Sequence, residues 1–225
     1  METKETNSFW KDRKVAVVQC GSFNPPHSLH MMLFECARDR LRECGSTVVC
    51  GIISPASDAY GKSGLLPASH RIEMCKRAAQ DTNWVRCDDY EAKSPTFVRT
   101  LTTLTRVKEY VSAEIGEDVH PVLICGGDLL ESFTIPGKWI PDHVETIFRD
   151  FGVICVHRDG FDEETIIKGS PVLSKYHDHV LVIEPYIHND ISSTLVRDIV
   201  KKNRSPRYIV PSGVYDYIIE NKLYQ

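Results

Sequence analysis

The chain lacks the signs of a secreted, membrane-spanning or nucleic-acid-binding protein. Its eight cysteines are scattered, form no CxxC pair and mostly lie in apolar runs, so we expect reduced core thiols in a cytosolic or nuclear protein. The longest apolar runs have the length of a strand, too short to cross a bilayer. A formal net charge of −4 gives no general attraction to nucleic acid or to anionic membranes. The polar start, METKETNSFWKDRK, matches neither a secretory signal nor a transit peptide.

Strand and helix patterns alternate along the chain, with no internal repeat and no linker long enough to divide it. This alternation predicts an α/β fold, a Rossmann-like, doubly wound and mostly parallel sheet with helices on both faces. We expect a polar tail over residues 1–13 and a single domain over 14–225. The predicted strands are 14–20, 47–53, 84–87, 121–125, 152–157 and 180–184. The predicted helices begin near residue 27 and then cover 68–80, 95–113, 193–202 and 212–221, with a polar segment after residue 157.

The most informative motif is VAVVQCGSFNPPHSLH, residues 15–30. A short valine-rich strand turns through Gly21-Ser22 and Asn-Pro-Pro into a helix, and the unpaired N–H groups at such a helix start suit a phosphate. His27 and His30 lie one helical turn apart, so both imidazoles can face that phosphate. The motif predicts a site for phosphate chemistry.

A second helix start, in HNDISSTLVRDIVKK, carries hydroxyl groups and an arginine. Ser192, Ser193 and Thr194 offer an N-cap and further hydroxyls beside unpaired backbone N–H groups. Arg197 lies about one turn along the helix and can reach the same anion. Alone, this pattern is an ordinary helix cap. Together with the first motif, it predicts the second half of a clamp for a polyphosphate.

The segment Gly61-Lys62-Ser63 resembles the end of a P-loop without completing one. A P-loop needs a glycine five residues before Gly61, where Ala56 stands, and no helix plainly starts at Lys62. We interpret Lys62 as a mobile cation at the rim of the ligand site, because lysine pairs with phosphate as a point charge. The alternative is a solvated surface lysine.

Five motifs together resemble a known family. GSFNPPHSLH, GIISPASDAY, CGGDLLESF, FGVICVHRDG and NDISSTLVR, in this order, are similar to the eukaryotic nicotinamide/nicotinate mononucleotide adenylyltransferases. The first motif alone indicates only the wider nucleotidylyltransferase superfamily. The resemblance implies a Rossmann-like fold and the reaction of ATP with nicotinamide mononucleotide (NMN), or with nicotinate mononucleotide, to give NAD or its deamido form and pyrophosphate. It also implies that Mg²⁺ accompanies the ATP.

The resemblance further implies roles for individual residues. Trp139 matches an aromatic residue that stacks on the nicotinamide ring, with plain core packing as the alternative, and Tyr90 stands where animal relatives often carry tryptophan. The implied catalytic residues are His27, His30, Lys62 and Arg197. The implied substrate-binding residues are Gly21, Ser22, Phe23, Tyr60, Lys62, Tyr90, Gly126, Asp128, Leu129, Trp139, Glu184, Asn189, Ser192, Ser193, Thr194 and Arg197.

The chemistry agrees with these roles. The attacking 5′-phosphate of the mononucleotide is already ionised at neutral pH, so we expect direct in-line transfer without a covalent enzyme intermediate. His30 would meet the α-phosphate, while Lys62, Arg197 and Mg²⁺ would hold the polyphosphate. The histidines form no closed set at zinc spacing, so we predict no metal site made of side chains and expect phosphates and water to hold the magnesium.

Two other functions stay open. The chain could be another nucleotidylyltransferase of the same superfamily, acting for example on phosphopantetheine, or a non-catalytic nucleotide-binding scaffold or chaperone. The short stretch between residues 111 and 121, where some nuclear relatives carry a long basic insertion, favours the cytoplasm and leaves diffusion into the nucleus open. Family members form homo-oligomers, and the sequence does not indicate which edge would associate.

Overall fold

The computed structural model describes residues 8–225; residues 1–7, the first part of the predicted tail, lie outside the described residues. Residues 8–13 form a turn in which the side chain of Trp10 is fully buried. The Trp10 indole N–H donates to the carbonyl of Asp178 (3.2 Å). Gly152 leaves room for the ring, since a Cβ there would lie 2.6 Å from Trp10 Cη2. This part of the predicted tail therefore packs into the folded protein.

Six strands form a parallel sheet. They are β1 (Lys14–Gly21), β2 (Thr47–Pro55), β3 (Val85–Cys87), β4 (His120–Gly126), β5 (Val153–Val156) and β6 (Val180–Ile183). The strand order is β3-β2-β1-β4-β5-β6. Parallel pairing joins β1 to β4, β2 to β3, β4 to β5 and β5 to β6. This order is that of a doubly wound, Rossmann-like sheet and confirms the predicted fold class.

Helices connect the strands. They are α1 (Ser28–Glu43), α2 (Ala68–Ala79), α3 (Tyr90–Lys93), α4 (Thr100–Ile115), α5 (Gly127–Ser132), α6 (Pro141–Thr146), α7 (Glu163–Gly169), α8 (Pro171–Lys175), α9 (Ser193–Lys201) and α10 (Ser212–Glu220). Over residues 8–225, no helix combines the length and the apolar character needed to cross a membrane.

Several regions differ from the prediction, and the helices α3, α5 and α6 were not predicted. The helix predicted over 95–113 spans Thr100–Ile115 in the structure. Ser94 precedes a proline and is extended (φ −67°, ψ 133°), which ends α3 before it. The predicted polar segment after residue 157 contains α7 and α8. Side chains cap both helices: Asp162 accepts the N–H of Thr165, and Ser170 accepts the N–H of Leu173.

The chain comprises two compact units, each made of three segments. Within the described residues, the first unit consists of residues 8–18, Glu35–Cys50 and Thr100–His188, and the second of Gln19–Phe34, Gly51–Arg99 and Asn189–Gln225. In the second unit, α2, α9 and α10 contribute to an apolar cluster of Met74, Ala78, Val196, Val200, Val210, Val214, Ile218 and Leu223. All eight cysteines are free.

Candidate active site

The turn that follows β1, Gly21–His27, belongs to the second unit and forms the centre of the candidate site. The carbonyl of Gly21 accepts the N–H of Ala56 (2.8 Å). Phe23 has a positive φ of 45° and folds its ring back over Gly21, where an added Cβ would lie 3.3 Å from Phe23 Cζ. Phe23 is buried, and its ring meets that of His30 edge-on at 5.0 Å. Phe23 therefore shapes the turn beside the histidine.

The start of α1 offers fewer backbone donors than the sequence predicts. The N–H of Ser28 donates to the carbonyl of Ile209 (3.0 Å), and the N–H of His30 donates to the carbonyl of His27 (2.9 Å). The sequence predicted unpaired N–H groups at this helix start, but these two are already paired within the protein. Side chains must therefore supply more of the anion binding than the helix start alone would suggest.

His27 and His30 form a stacked pair with ring centroids 3.6 Å apart. The backbone N–H of His27 donates to Nδ1 of His30 (3.1 Å), so a neutral His30 ring carries its proton on Nε2. Burial, and to a smaller extent the neighbouring His27, holds the pKa of His30 well below its usual value of 6.5. At neutral pH, His30 is therefore an uncharged N–H donor.

Lys62 lies in an exposed loop over residues 58–66, which we name the Lys62 loop. The loop begins with a 3₁₀ turn, and Ser57 caps this turn by accepting the N–H of Ala59 (3.1 Å). The next helix, α2, starts at Ala68, so the segment is not a P-loop, as predicted. Tyr60 is 51% exposed and stacks with Phe97 at 6.0 Å between ring centroids.

Arg71, in α2, links the Lys62 loop to the turn after β1 through hydrogen bonds. The sequence analysis gave this residue no role. Its side chain is fully buried. The guanidinium donates to the carbonyl of Leu66 (2.8 Å), the carbonyl of Ser22 (3.1 Å) and the carboxylate of Asp58 (2.7 Å). Charge-assisted bonds of this kind are stronger than neutral ones. The sequence shows only an arginine beside the apolar positions Ile72 and Met74, which does not predict its hydrogen-bond partners.

The N-terminus of α9 meets the same turn, as predicted from the two motifs. Arg197 donates from Nη1 to the carbonyl of Asn24 (2.9 Å) and from Nη2 to the hydroxyl of Thr194 (3.1 Å). The hydroxyl of Ser193 donates to the carbonyl of Pro25 (2.8 Å). Ser192 is the N-cap and accepts the N–H of Leu195 (3.2 Å). The His27–His30 motif and the Ser-Ser-Thr motif are thus brought together within the second unit.

Two further predicted residues lie in the second unit. Tyr90 opens α3 and is 48% exposed, and its N–H donates to the carboxylate of Asp88 (3.1 Å). The side-chain oxygen of Asn189 accepts the N–H of Ile191 (3.0 Å), which turns the chain towards the cap of α9.

Five predicted residues, Gly126, Asp128, Leu129, Trp139 and Glu184, lie in the first unit. β4 ends at Gly126, and exposed Asp128 occupies the first turn of α5. A Cβ at Gly126 would lie 3.1 Å from the carboxylate of Asp128, so glycine permits this close approach. The carboxyl end of β4 therefore presents an exposed carboxylate beside the half-buried Gly126.

Trp139 is only partly buried, which argues against plain core packing. Its indole N–H donates to the hydroxyl of Ser132 (3.1 Å), and its ring leans on Phe133 at 4.4 Å between centroids. The indole is therefore fixed in orientation while part of its surface stays accessible.

Glu184 lies near two histidines to which the sequence analysis gave no role. Its carboxylate is 3.8 Å from His188 Nε2. His157 Nδ1 pairs with buried Glu163 (2.8 Å), and this bond raises the pKa of His157 above 6.5. The polar segment after β5 thus contains titratable groups in contact.

Comparison with known proteins agrees with the class that this fold and site indicate, a nucleotide-binding α/β protein. A family model for cytidylyltransferase-like proteins matches residues 18–199, and the chain belongs to this family. Two relatives, from Oryza sativa subsp. japonica and Arabidopsis thaliana, are each named nicotinamide/nicotinic acid mononucleotide adenylyltransferase. The rice protein is 45% identical over 95% of this chain and 87% of its own length. The Arabidopsis protein is 41% identical over 93% of this chain and 90% of its own length.

A less similar relative and a solved structure agree with this family assignment. A bovine protein, nicotinamide/nicotinic acid mononucleotide adenylyltransferase 1, is 33% identical over 94% of this chain and 89% of its own length. A solved structure of a proposed nicotinate-nucleotide adenylyltransferase from Vibrio parahaemolyticus has a TM-score of 0.56 and 12% identity, covering 94% of this chain and 95% of that one. The structural likeness supports the fold alone, and the sequence relatives confirm the family resemblance.

Proposed function

We propose that the protein transfers the adenylyl group of ATP to NMN or nicotinate mononucleotide, giving NAD or its deamido form and pyrophosphate. Relatives bearing the name of this activity cover more than nine-tenths of the chain at 41–45% identity. The observation that carries the proposal is that Arg197 and the turn leading to His30 meet at Asn24 (2.9 Å). Two anion-binding motifs far apart in sequence thus supply one site.

The reaction needs positioning and charge stabilisation more than acid–base chemistry. An oxygen of the mononucleotide 5′-phosphate attacks the α-phosphorus of ATP, and the bond from that phosphorus to the bridging oxygen of pyrophosphate breaks. The electron pair of that bond leaves with the pyrophosphate. We propose that neutral His30 donates its Nε2–H to the α-phosphate, where negative charge increases in the transition state.

Lys62 and Arg197 are proposed to hold the outer phosphates of ATP. Lys62 is exposed on its loop and can follow the phosphates as a point charge. A guanidinium has five N–H donors, so Arg197 can hold Asn24 and Thr194 and still offer donors to a phosphate.

Mg²⁺ is proposed to enter with ATP as its complex. Among residues 8–225, no three side chains of histidine, cysteine, aspartate or glutamate converge as a group able to hold a metal ion. Asp58, a carboxylate of the Lys62 loop, is already bound to Arg71 (2.7 Å) and to the N–H of Ala68 (3.0 Å). We propose that the phosphates and water supply most of the magnesium ligands.

The mononucleotide is proposed to stack on Trp139. A pyridinium cation over an indole face gains about 0.5–2 kcal/mol. The other predicted substrate-binding residues of the first unit, Gly126, Asp128, Leu129 and Glu184, are likewise proposed to contact substrate.

The activity is tested by supplying purified protein with ATP, Mg²⁺ and, in separate reactions, NMN, nicotinate mononucleotide or phosphopantetheine. We expect dinucleotide and pyrophosphate in equal amounts from the two pyridine mononucleotides. Failure with both would overturn the proposal, and turnover of phosphopantetheine alone would identify another nucleotidylyltransferase. Tight binding of ATP with no release of pyrophosphate would indicate a scaffold.

Direct transfer has its own test. An adenylyl-enzyme intermediate would exchange labelled pyrophosphate into ATP in the absence of mononucleotide. We expect no such exchange, and a rate comparable with turnover would contradict the in-line mechanism.

A further inference from the structure

Asn24 joins several segments of the second unit. Its side-chain oxygen accepts hydrogen bonds from the phenol of Tyr224 (2.9 Å) and the N–H of Leu66 (3.3 Å). Its side-chain NH₂ group donates to the carbonyl of Gly64 (2.8 Å), and its main-chain carbonyl accepts from Arg197 (2.9 Å). Two donors at the oxygen and one acceptor at the nitrogen fix the orientation of the amide.

The Lys62 loop is therefore tied at both of its ends. Leu66 bonds through its N–H to Asn24 and through its carbonyl to Arg71 (2.8 Å). Asp58, at the other end, bonds to Arg71 (2.7 Å). The exposed side chain of Lys62 lies between these ties, so its reach depends on them.

We propose that Tyr224 is a positioning residue for the reaction, whose hydroxyl holds the Asn24 amide and, through it, the Lys62 loop beside Arg197. The inference rests on the proposed function, because it assumes that Lys62 and Arg197 bind the phosphates of ATP. Tyr224 acts through Asn24 and is not a catalytic residue.

The surroundings of Tyr224 keep its hydroxyl available as a donor. Its ring packs against the apolar cluster of α2, α9 and α10, and the adjacent Leu223 is part of that cluster. Burial raises the pKa of the Tyr224 phenol above its usual value of 10, so the hydroxyl keeps its proton at physiological pH. A protonated phenol donates to the Asn24 oxygen, as the geometry requires.

The substitution Tyr224→Phe isolates the hydroxyl, because phenylalanine keeps the packing of the ring. Asn24 then loses one of three side-chain hydrogen bonds. One such bond favours the ordered arrangement about five-fold over a loosened one. We expect kcat/KM for ATP to fall about five-fold. The KM for the mononucleotide should stay near its original value, because Trp139, the proposed partner of the pyridine ring, is held by Ser132 and Phe133.

Tyr217→Phe is the matched control. It also removes a tyrosine hydroxyl from the second unit, one paired with His70 Nδ1 (3.0 Å) on α2. We expect it to lower the melting temperature by an amount comparable with Tyr224→Phe and to leave kcat/KM for ATP unchanged. Equal kinetic effects of the two substitutions, or a purely thermal effect of Tyr224→Phe, would overturn the proposal.

Limited proteolysis gives a readout that does not need catalysis. Trypsin cleaves after lysine, and exposed Lys62 is followed by Ser63, so the cleavage rate at this bond reports opening of the loop. We expect this rate to rise about five-fold in Tyr224→Phe and to stay unchanged in Tyr217→Phe. If no adenylyl transfer is found, the proteolysis still tests the anchor. An active enzyme with unchanged cleavage and unchanged kcat/KM would overturn the anchor alone.

Discussion

Replacing His30 with alanine tests the central step of the proposed mechanism. The N–H of His27 occupies Nδ1 of His30 (3.1 Å), which leaves the Nε2–H of the neutral ring to donate to substrate. A preorganised donor aimed at developing negative charge contributes roughly 10²–10³-fold to the rate, or about 3–4 kcal/mol. Because this charge increases mainly in the transition state, we expect kcat to fall by that factor while the KM for ATP changes far less.

The assay is the initial rate of dinucleotide formation over a range of ATP concentrations. His70→Ala is the matched control, because His70 also belongs to the second unit, but its ring bonds to Tyr217 and has no proposed contact with phosphate. We expect the control to keep nearly the full kcat. A His30→Ala protein with an unchanged kcat would remove His30 from catalysis.

The pH profile tests the protonation state of His30 separately. Burial and His27 hold its pKa well below 6.5, so the ring is neutral at pH 6.5 and above and gains a proton only as the pH falls further. The wild-type kcat/KM for ATP, which reports ionisations of the free enzyme, should therefore show no inflection from this group near pH 6.5. His30→Gln keeps an N–H donor and should give the same profile at a lower rate. An inflection near 6.5 that only the wild type shows would contradict the neutral assignment.

Three further outcomes follow from the first unit. Burial lowers the pKa of His120 to about 4, so the unfolded chain binds a proton before the folded protein does as the pH falls below 6.5. We expect the free energy of unfolding in urea to fall by about 3 kcal/mol between pH 6.5 and 4, and His120→Gln to lack this loss. The same dependence of the free energy of unfolding on pH in both proteins would refute this. Trp139→Ala should raise the KM for NMN about 2–30-fold, whereas an unaltered KM in steady-state kinetics would favour a packing role. Gly127→Ala should cost about 1–3 kcal/mol in urea unfolding, since its Cβ would lie 2.6 Å from Phe161 Cγ. Gly169→Ala is the control, because an added Cβ at Gly169 would meet no atom within 4 Å. Equal free energies of unfolding of the two variants would contradict the clash at Gly127.

The sheet was predictable because its strands are apolar runs rich in valine. β1 and β2 begin at the predicted residues and end one or two residues beyond the predicted ones. The short helices α7 and α8 were missed because each covers only one or two turns and shows too little periodicity. Their capping residues, Asp162 and Ser170, were the signals available in the sequence.

The candidate site was predictable where its residues are close in sequence. The three-residue spacing of His27 and His30 predicted a shared face, and their rings stack at 3.6 Å. The buried Arg71 was not predictable, because its partners are two main-chain carbonyls and a loop carboxylate, which no spacing rule encodes. The same holds for Asn24 and Tyr224, which lie 200 residues apart.

The bond from Arg197 to the Asn24 carbonyl has a consequence for the order in which the protein folds. It spans 173 residues, and closing so large a loop costs more chain entropy than forming a neighbouring strand and helix. We therefore expect the sheet to gain protection from hydrogen exchange before the chain acquires its capacity for ATP. A nascent chain that ends before α9 already contains all six strands of the described sheet but lacks Arg197, and we expect it not to bind a triphosphate.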